Sequence, residues 1–238
     1  MRRAAAAALV AAALAAGCAR ATARADPAPE AGGTPTTPTT GSLCDFVSRQ
    51  AAAVPAAVAG PGPDVAIVGD SWSSGIGLDD PTQSWAYQLV RLRHWFGFVA
   101  GYASTGYVKE GPCGAQRYDR RLGSVPADAS MVIVEGGIND ADALDQLPAG
   151  VRRVLAAVAA RAPHARIVVL GMPHVAAIDE AHRRAVDDAL RAGAASVGAL
   201  FVPTDGLAIP LIGDGVHPTV DGHARLAAFL AFTLPEPA

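Results

Sequence analysis

Four short groups of residues in this 238-residue chain carry the side chains that nucleophilic catalysis requires. A serine hydroxyl attacks a carbonyl carbon only when a histidine takes its proton, and that histidine needs a carboxylate to orient it. The tetrahedral oxyanion that forms then needs fixed hydrogen-bond donors. A hydroxyl, a glycine, an amide and an Asp/His pair occur in Gly69-Asp70-Ser71, Ser104-Thr105-Gly106, Glu135–Asp140 and Asp214–His217. These residue types predict acyl transfer through a serine, provided that the fold brings them together.

The elements that would position these groups are short apolar runs separated by helical stretches. The runs are 65–68, 99–100, 131–134, 167–170 and 200–202. Continuous apolar runs are typical of strands buried on both faces, and therefore of a parallel sheet. Helical periodicity occurs from Ser42 and at about 83–96, 147–161, 178–196 and 219–233.

This alternation predicts a three-layer α/β/α sandwich around a five-stranded, parallel, flavodoxin-like doubly wound sheet. In such a sheet the active site lies at the carboxyl ends of the strands. The first three groups follow the first, second and third apolar runs, and the Asp/His pair lies beyond the fifth. We therefore expect all four groups at one end of the sheet.

Taken in order, the groups resemble the blocks of the SGNH branch of the GDSL hydrolases, which is named for Ser, Gly, Asn and His. The first block matches Gly69-Asp70-Ser71, with Trp72 where the family name expects Leu. The others match at Gly106, at Gly137-Ile138-Asn139-Asp140 and at Asp214-Gly215-Val216-His217-Pro218. The resemblance covers about residues 64–233.

The resemblance implies a role for each matching residue. Ser71 would be the nucleophile, His217 the general base and then the general acid, and Asp214 the carboxylate that fixes the imidazole tautomer. The oxyanion hole would combine the backbone N–H groups of Ser71 and Gly106 with the side-chain amide of Asn139. No metal or cofactor is expected.

Each of these residues also has a plain structural alternative. Ser71 could cap the following segment, Asn139 could be a turn residue, and His217 could be a loop histidine. Asp214 could cap the last helix, although Thr219 is better placed for that. The α/β-hydrolase fold is not supported, because neither Ser71 nor Ser104 lies in a G-x-S-x-G motif.

The predicted function is an exported serine hydrolase that cleaves carboxylic esters. The connections leave little material for a lid, the longest being 104–128, so short acyl or acetyl esters on small molecules, glycans or lipids are favoured. Two alternatives are an O-acyltransferase with the same catalytic residues and a non-catalytic cell-surface binding module. The net charge of −3 argues against nucleic-acid partners, and we expect a monomer.

The first 18 residues are predicted to be a signal peptide. Arg2 and Arg3 precede an unbroken apolar run over 4–16, which is shorter than the about 20 residues of a membrane span. Cys18 ends the run and is the predicted site of lipidation. Cleavage after the A-x-A sequence at 23–25, before Asp26, is the alternative.

The remainder of the chain divides into a tether and a domain. Residues 19–42, rich in Thr, Pro and Ala, cannot bury enough surface to offset their chain entropy, so we expect a disordered tether. Residues 43–238 form the hydrolase domain, which would sit at the outer face of the membrane if Cys18 is lipidated and would otherwise be secreted. In an oxidising compartment Cys44 and Cys113 could pair, two free thiols being the alternative.

Mass spectrometry of the mature protein tests the lipoprotein prediction. We expect a chain that begins at a lipid-modified Cys18, and release of the Cys18→Ser variant from the membrane fraction. An unlipidated chain that begins at Asp26 would contradict the prediction.

Overall fold

The apolar runs of the sequence form the central strands of a sheet in the computed structural model, which describes residues 40–54 and 56–238. The strands are β2 (Asp64–Gly69), β3 (Phe96–Gly101), β4 (Met131–Val134), β5 (Arg166–Leu170) and β6 (Leu200–Val202). All of β4 is buried, as is β2 from Val65 onward, because helices cover both faces of the sheet. The predicted α/β/α sandwich is confirmed.

With the short edge strand β1 (Ala57–Val58) included, the strand order is β1-β3-β2-β4-β5-β6, in which β2 to β6 run parallel. The five parallel strands therefore have the predicted flavodoxin-like order. The chain winds outward from β2 in both directions, so a crevice opens at the carboxyl ends of β2 and β4. One strand was not predicted: β1 (Ala57–Val58) adds an antiparallel sixth strand beside β3, and its two residues are too few to give a sequence pattern.

Six α-helices lie in the described part of the chain, and five of them begin within about two residues of their predicted starts. They are α1 (Thr40–Ala53), α2 (Ser71–Ser74), α3 (Trp85–Leu92), α4 (Leu147–Arg161), α5 (Glu180–Ser196) and α6 (Val220–Thr233). The short α2 was not predicted. Thr219 caps α6, accepting the N–H of Gly222 at 3.1 Å, so Asp214 is free of that structural role.

The helices bury the faces that their sequence periodicity indicates. In α4, Val151, Val154, Leu155 and Val158 are fully buried. Each buried side chain of this size contributes about 1.5–3 kcal/mol relative to an exposed one. The packing makes the sheet rigid and fixes the loops at its ends.

The predicted leader, including Cys18, and the tether up to residue 39 lie outside the described residues. Helix α1 begins at Thr40, two residues before the predicted start. None of the helices in the described part is long and apolar enough to cross a membrane.

A disulfide joins Cys44 in α1 to Cys113 in the loop between β3 and β4, with Cα atoms 4.9 Å apart. The two cysteines are 69 residues apart, so the bond closes a long loop of the unfolded chain. It holds α1 against the segment that contains Gly106.

Replacing both cysteines, as in Cys44→Ser with Cys113→Ser, should destabilise the domain. Loss of this loop constraint costs about 4 kcal/mol on the chain-entropy model, or roughly 10 °C in Tm for a domain of this size. Thermal unfolding with and without reductant measures the effect. A parent protein whose Tm does not respond to reductant would show that the bond contributes little.

Candidate active site

The nucleophile turn consists of Asp70 and the short helix α2, and it starts where the central strand β2 ends. Asp70 caps α2, because its Oδ1 accepts the N–H of Trp72 at 2.9 Å. Ser71 is the first helical residue and is 7% exposed. The first N–H groups of a helix have no partner within it, and no described residue accepts a hydrogen bond from the Ser71 N–H. That donor is available to an oxyanion.

The Asp214–His217 pair has the geometry of a base with its orienting carboxylate. Asp214 Oδ2 lies 2.6 Å from His217 Nδ1, and Oδ1 accepts the backbone N–H groups of Val216 and His217, both at 2.9 Å. Partial burial raises the pKa of Asp214, but the hydrogen bond from His217 and those from the backbone outweigh it and lower the pKa. The ionised carboxylate therefore favours a proton on Nδ1 and leaves Nε2 as the acceptor.

The loop that carries His217 is attached to the nucleophile turn by a tryptophan. Trp72, which is 1% exposed, donates its indole N–H to the carbonyl of Val216 at 3.1 Å. Within the loop, Ile212 donates to the carbonyl of His217 at 2.8 Å. Ser71 Oγ and His217 are not hydrogen bonded to each other in the described structure. Such bonds often tighten only when substrate is bound.

Asn139 reaches the nucleophile turn from the far side of the crevice. It lies in a 3₁₀ turn, Ile138–Asp140, that follows β4. Its Nδ2 donates to Asp70 Oδ2 at 3.1 Å and to the carbonyl of Thr105 at 2.9 Å. The amide is therefore fixed in place, and its two hydrogens both have acceptors.

The next residue, Asp140, organises the loop that contains Gly106. Its buried carboxylate accepts the N–H of Tyr107 at 2.8 Å and those of Val108 and Lys109 at 3.0 Å. A side chain at position 106 would collide with this carboxylate. The sequence analysis missed this role of Asp140, although an acid at the carboxyl end of a buried strand must find several donors.

The structure gives Gly106 a different set of contacts from those expected of a free oxyanion donor. Its N–H donates to the carbonyl of Lys109 at 3.1 Å. The glycine is explained by the space that Asp140 occupies, and its N–H could reach a substrate only by leaving Lys109.

A cleft of about 350 Å³ adjoins the site on the Asn139 side. Its walls combine apolar and polar side chains: Ile138, Asn139, Ala141, Asp142, Ala177, Ile178, Asp179 and His182. A larger cleft, of about 680 Å³, lies at the amino ends of β5 and β6 and contains none of the predicted site residues. Chemistry rather than size therefore identifies the site.

Comparison with known families assigns the chain to one of them. The family model of GDSL-like lipases and acylhydrolases matches residues 67–225. The chain belongs to this family. It is accordingly a carboxylic ester hydrolase, as the sequence analysis predicted. No curated protein matches the chain in sequence.

Solved structures of other esterases share the fold of this GDSL-like hydrolase. A carbohydrate esterase family 2 enzyme from Corynascus thermopiles (Myceliophthora fergusii) matches 75% of this chain and 67% of its own, with 18% identity and a TM-score of 0.63. The aryl esterase of M. smegmatis matches 72% of this chain and 97% of its own, with 17% identity and a TM-score of 0.59. A family two carbohydrate esterase from Cellvibrio japonicus matches 75% of this chain and 62% of its own, with 16% identity and a TM-score of 0.59.

Replacing Trp72 with Phe should impair catalysis in this hydrolase more than it impairs folding. The change keeps an aromatic ring but removes the bond to Val216, so we expect about a 10-fold loss of kcat/KM. Trp85→Phe is the matched control, because Trp85 is equally buried and its Nε1 has no hydrogen-bond partner in the described structure. Equal activity of the two variants toward an ester would show that the Trp72 bond does not position His217.

Proposed function

We propose that this hydrolase is an exported serine esterase that cleaves short acyl or acetyl esters through an acyl-enzyme. The observation that carries the proposal is the 2.6 Å contact between His217 Nδ1 and Asp214, in a loop hydrogen bonded to the turn that bears Ser71. This arrangement supplies a base of fixed tautomer in a loop that is hydrogen bonded to the residue next to Ser71, whose hydroxyl lies at a helix start.

In the proposed reaction, His217 Nε2 takes the proton of Ser71 Oγ while Oγ attacks the ester carbonyl carbon. The carbonyl oxygen becomes an oxyanion, which accepts hydrogen bonds from the Ser71 N–H and from Asn139 Nδ2. Collapse of this intermediate breaks the bond to the alcohol oxygen, which leaves with the proton held by His217. Water then repeats the sequence on the acyl-enzyme and releases the acid.

Two of the expected oxyanion donors, Asn139 and Gly106, already donate to acceptors within the protein. Each must exchange an acceptor before it can bind an oxyanion. Asn139 Nδ2 would exchange one of its acceptors, Asp70 or Thr105, for the oxyanion. Gly106 would have to exchange Lys109 in the same way to serve as the third donor. Where the group replaced is the neutral carbonyl of Thr105 or Lys109, the exchange favours the transition state over the substrate, because a developed negative charge is the stronger acceptor.

The preference for small acyl groups rests on the loop between β3 and β4. Asp140 and the Cys44–Cys113 disulfide hold this loop in place, so it is poorly suited to open and close over a long acyl chain. The cleft beside Asn139 offers apolar surface from Ile138 and Ile178 together with polar groups at Asp179 and His182. Such a mixture suits a small acyl group on an alcohol that carries further hydroxyl groups. Carbohydrate esterases with the same fold support this substrate class.

The proposed location is outside the cell, at the outer face of the membrane when Cys18 is lipidated and secreted otherwise. A disulfide between Cys44 and Cys113 is consistent with an oxidising compartment.

Hydrolysis of p-nitrophenyl esters of increasing chain length tests the proposal. We expect kcat/KM to be highest for acetate or butyrate and to fall by at least about 10³-fold in Ser71→Ala. Ser196→Ala is the control, because this serine only contacts a carbonyl of its own helix. Unchanged activity in Ser71→Ala would remove the mechanism, and a preference for long chains would overturn the proposed substrate class.

A further inference from the structure

A buried glutamate, Glu135, is hydrogen bonded to the nucleophile turn. The proposed reaction does not use it. Glu135 follows β4 and is 4% exposed. Its Oε2 accepts the hydroxyl of Ser73 at 2.6 Å and the backbone N–H of Asp70 at 3.4 Å. Asp70 precedes Ser71 and Ser73 follows it, so a single carboxyl oxygen contacts the nucleophile turn on both sides of Ser71.

The tight packing around Glu135 supports a specific role. A side chain at Gly69 would collide with Ser73 Oγ and with Glu135 Oε2, and one at Gly136 would collide with the hydroxyl of Tyr118. Gly69 therefore leaves space for Ser73 and the Glu135 carboxyl group, and Gly136 leaves space for Tyr118. Glu135 has little freedom to move away from Ser73.

Glu135 and Asp70 form a pair of buried carboxyl groups. Burial and the charge of Glu135 raise the pKa of Asp70, and burial raises the pKa of Glu135 to about 7 in spite of its hydrogen bonds. Two adjacent buried carboxyl groups cannot both ionise at low cost, so the pair retains a proton near neutral pH.

Both members of the pair accept hydrogen bonds from the residues around Ser71. The two oxygens of Asp70 accept N–H groups, from Trp72 and Asn139. Glu135 Oε1, in contrast, is buried with no hydrogen-bond partner in the described structure. Oε2 therefore makes all of the hydrogen bonds that the Glu135 carboxyl group has within the described structure. The other charged or titratable groups that act on the pair are Arg121, Asp140, Tyr107, Tyr118 and His217.

We propose that Glu135 is a positioning residue for the nucleophile, acting as the hydrogen-bond acceptor that fixes Ser71 through Ser73 and Asp70. The inference rests on the proposed function of Ser71. Because Asp70 also holds Asn139, a shift of the turn moves the nucleophile and an oxyanion donor together. Such a displacement raises the barrier of the chemical step rather than weakening substrate binding.

Three variants separate positioning from a merely structural contribution. Glu135→Ala removes the acceptor, Ser73→Ala removes its main donor, and Glu135→Gln keeps an acceptor oxygen on a side chain of the same shape. Thr204→Val is the control: Thr204 is buried to a similar degree and donates to the carbonyl of Gly171, away from the nucleophile turn. The measurements are kcat and KM for p-nitrophenyl acetate, the rate of Ser71 labelling by a fluorophosphonate, and Tm.

We expect kcat and the labelling rate to fall together, about 10-fold in Ser73→Ala and about 100-fold in Glu135→Ala, while KM changes less than about 3-fold. Glu135→Gln should recover to within about 3-fold of the parent protein. Thr204→Val should lower Tm and leave kcat unchanged.

Parent-like kcat and labelling in Ser73→Ala would overturn the positioning role, even if Glu135→Ala does not fold. A Glu135→Gln variant as impaired as Glu135→Ala would show that an acceptor at this position is not sufficient, and would overturn the role proposed for Glu135. These results differ from failure of the proposed function, in which the parent protein itself would not be labelled at Ser71 and both proposals would fall.

Discussion

The active site depends on the burial of three acidic side chains at the carboxyl end of the sheet. Asp70, Glu135 and Asp140 are 0–4% exposed, and buried carboxyl groups are tolerated only where donors or protons satisfy them. Their partners are the elements that the reaction needs in fixed positions: the nucleophile turn, the amide of Asn139 and the loop around Gly106. The hydrogen bonds that satisfy these buried acids are therefore the same ones that hold the parts of the site in position.

The same constraint explains why glycines are found in the first two blocks. At position 69 a side chain would meet Ser73 and Glu135, and at position 106 it would meet Asp140. Neither glycine has the positive φ that would give it a purely conformational role. In this chain Gly69 and Gly106 make room for acids, whereas the family resemblance implied only an oxyanion donor at Gly106.

Much of the fold and the grouping of the site residues could be predicted from the sequence, because both follow from local patterns. Apolar runs identify buried strands, and the carboxyl ends of parallel strands meet at one edge, which places Ser71, Asn139 and His217 together. The bonds that shape the site could not be predicted in this way. Trp72 and Val216 are 144 residues apart, and Asp140 binds amides 31 to 33 residues earlier in the chain. Periodicity reports which face is buried and not which polar atoms meet there.

In the proposed mechanism Ser71 carries the acyl group during turnover. Rapid acid quenching of the protein during hydrolysis of p-nitrophenyl butyrate, followed by peptide mass spectrometry, tests it most directly. The account predicts one butyryl group on the peptide that contains Ser71, accumulating further in Asp214→Asn if deacylation is slowed more than acylation. Steady release of butyrate with no acyl group on Ser71 at any quench time would contradict it.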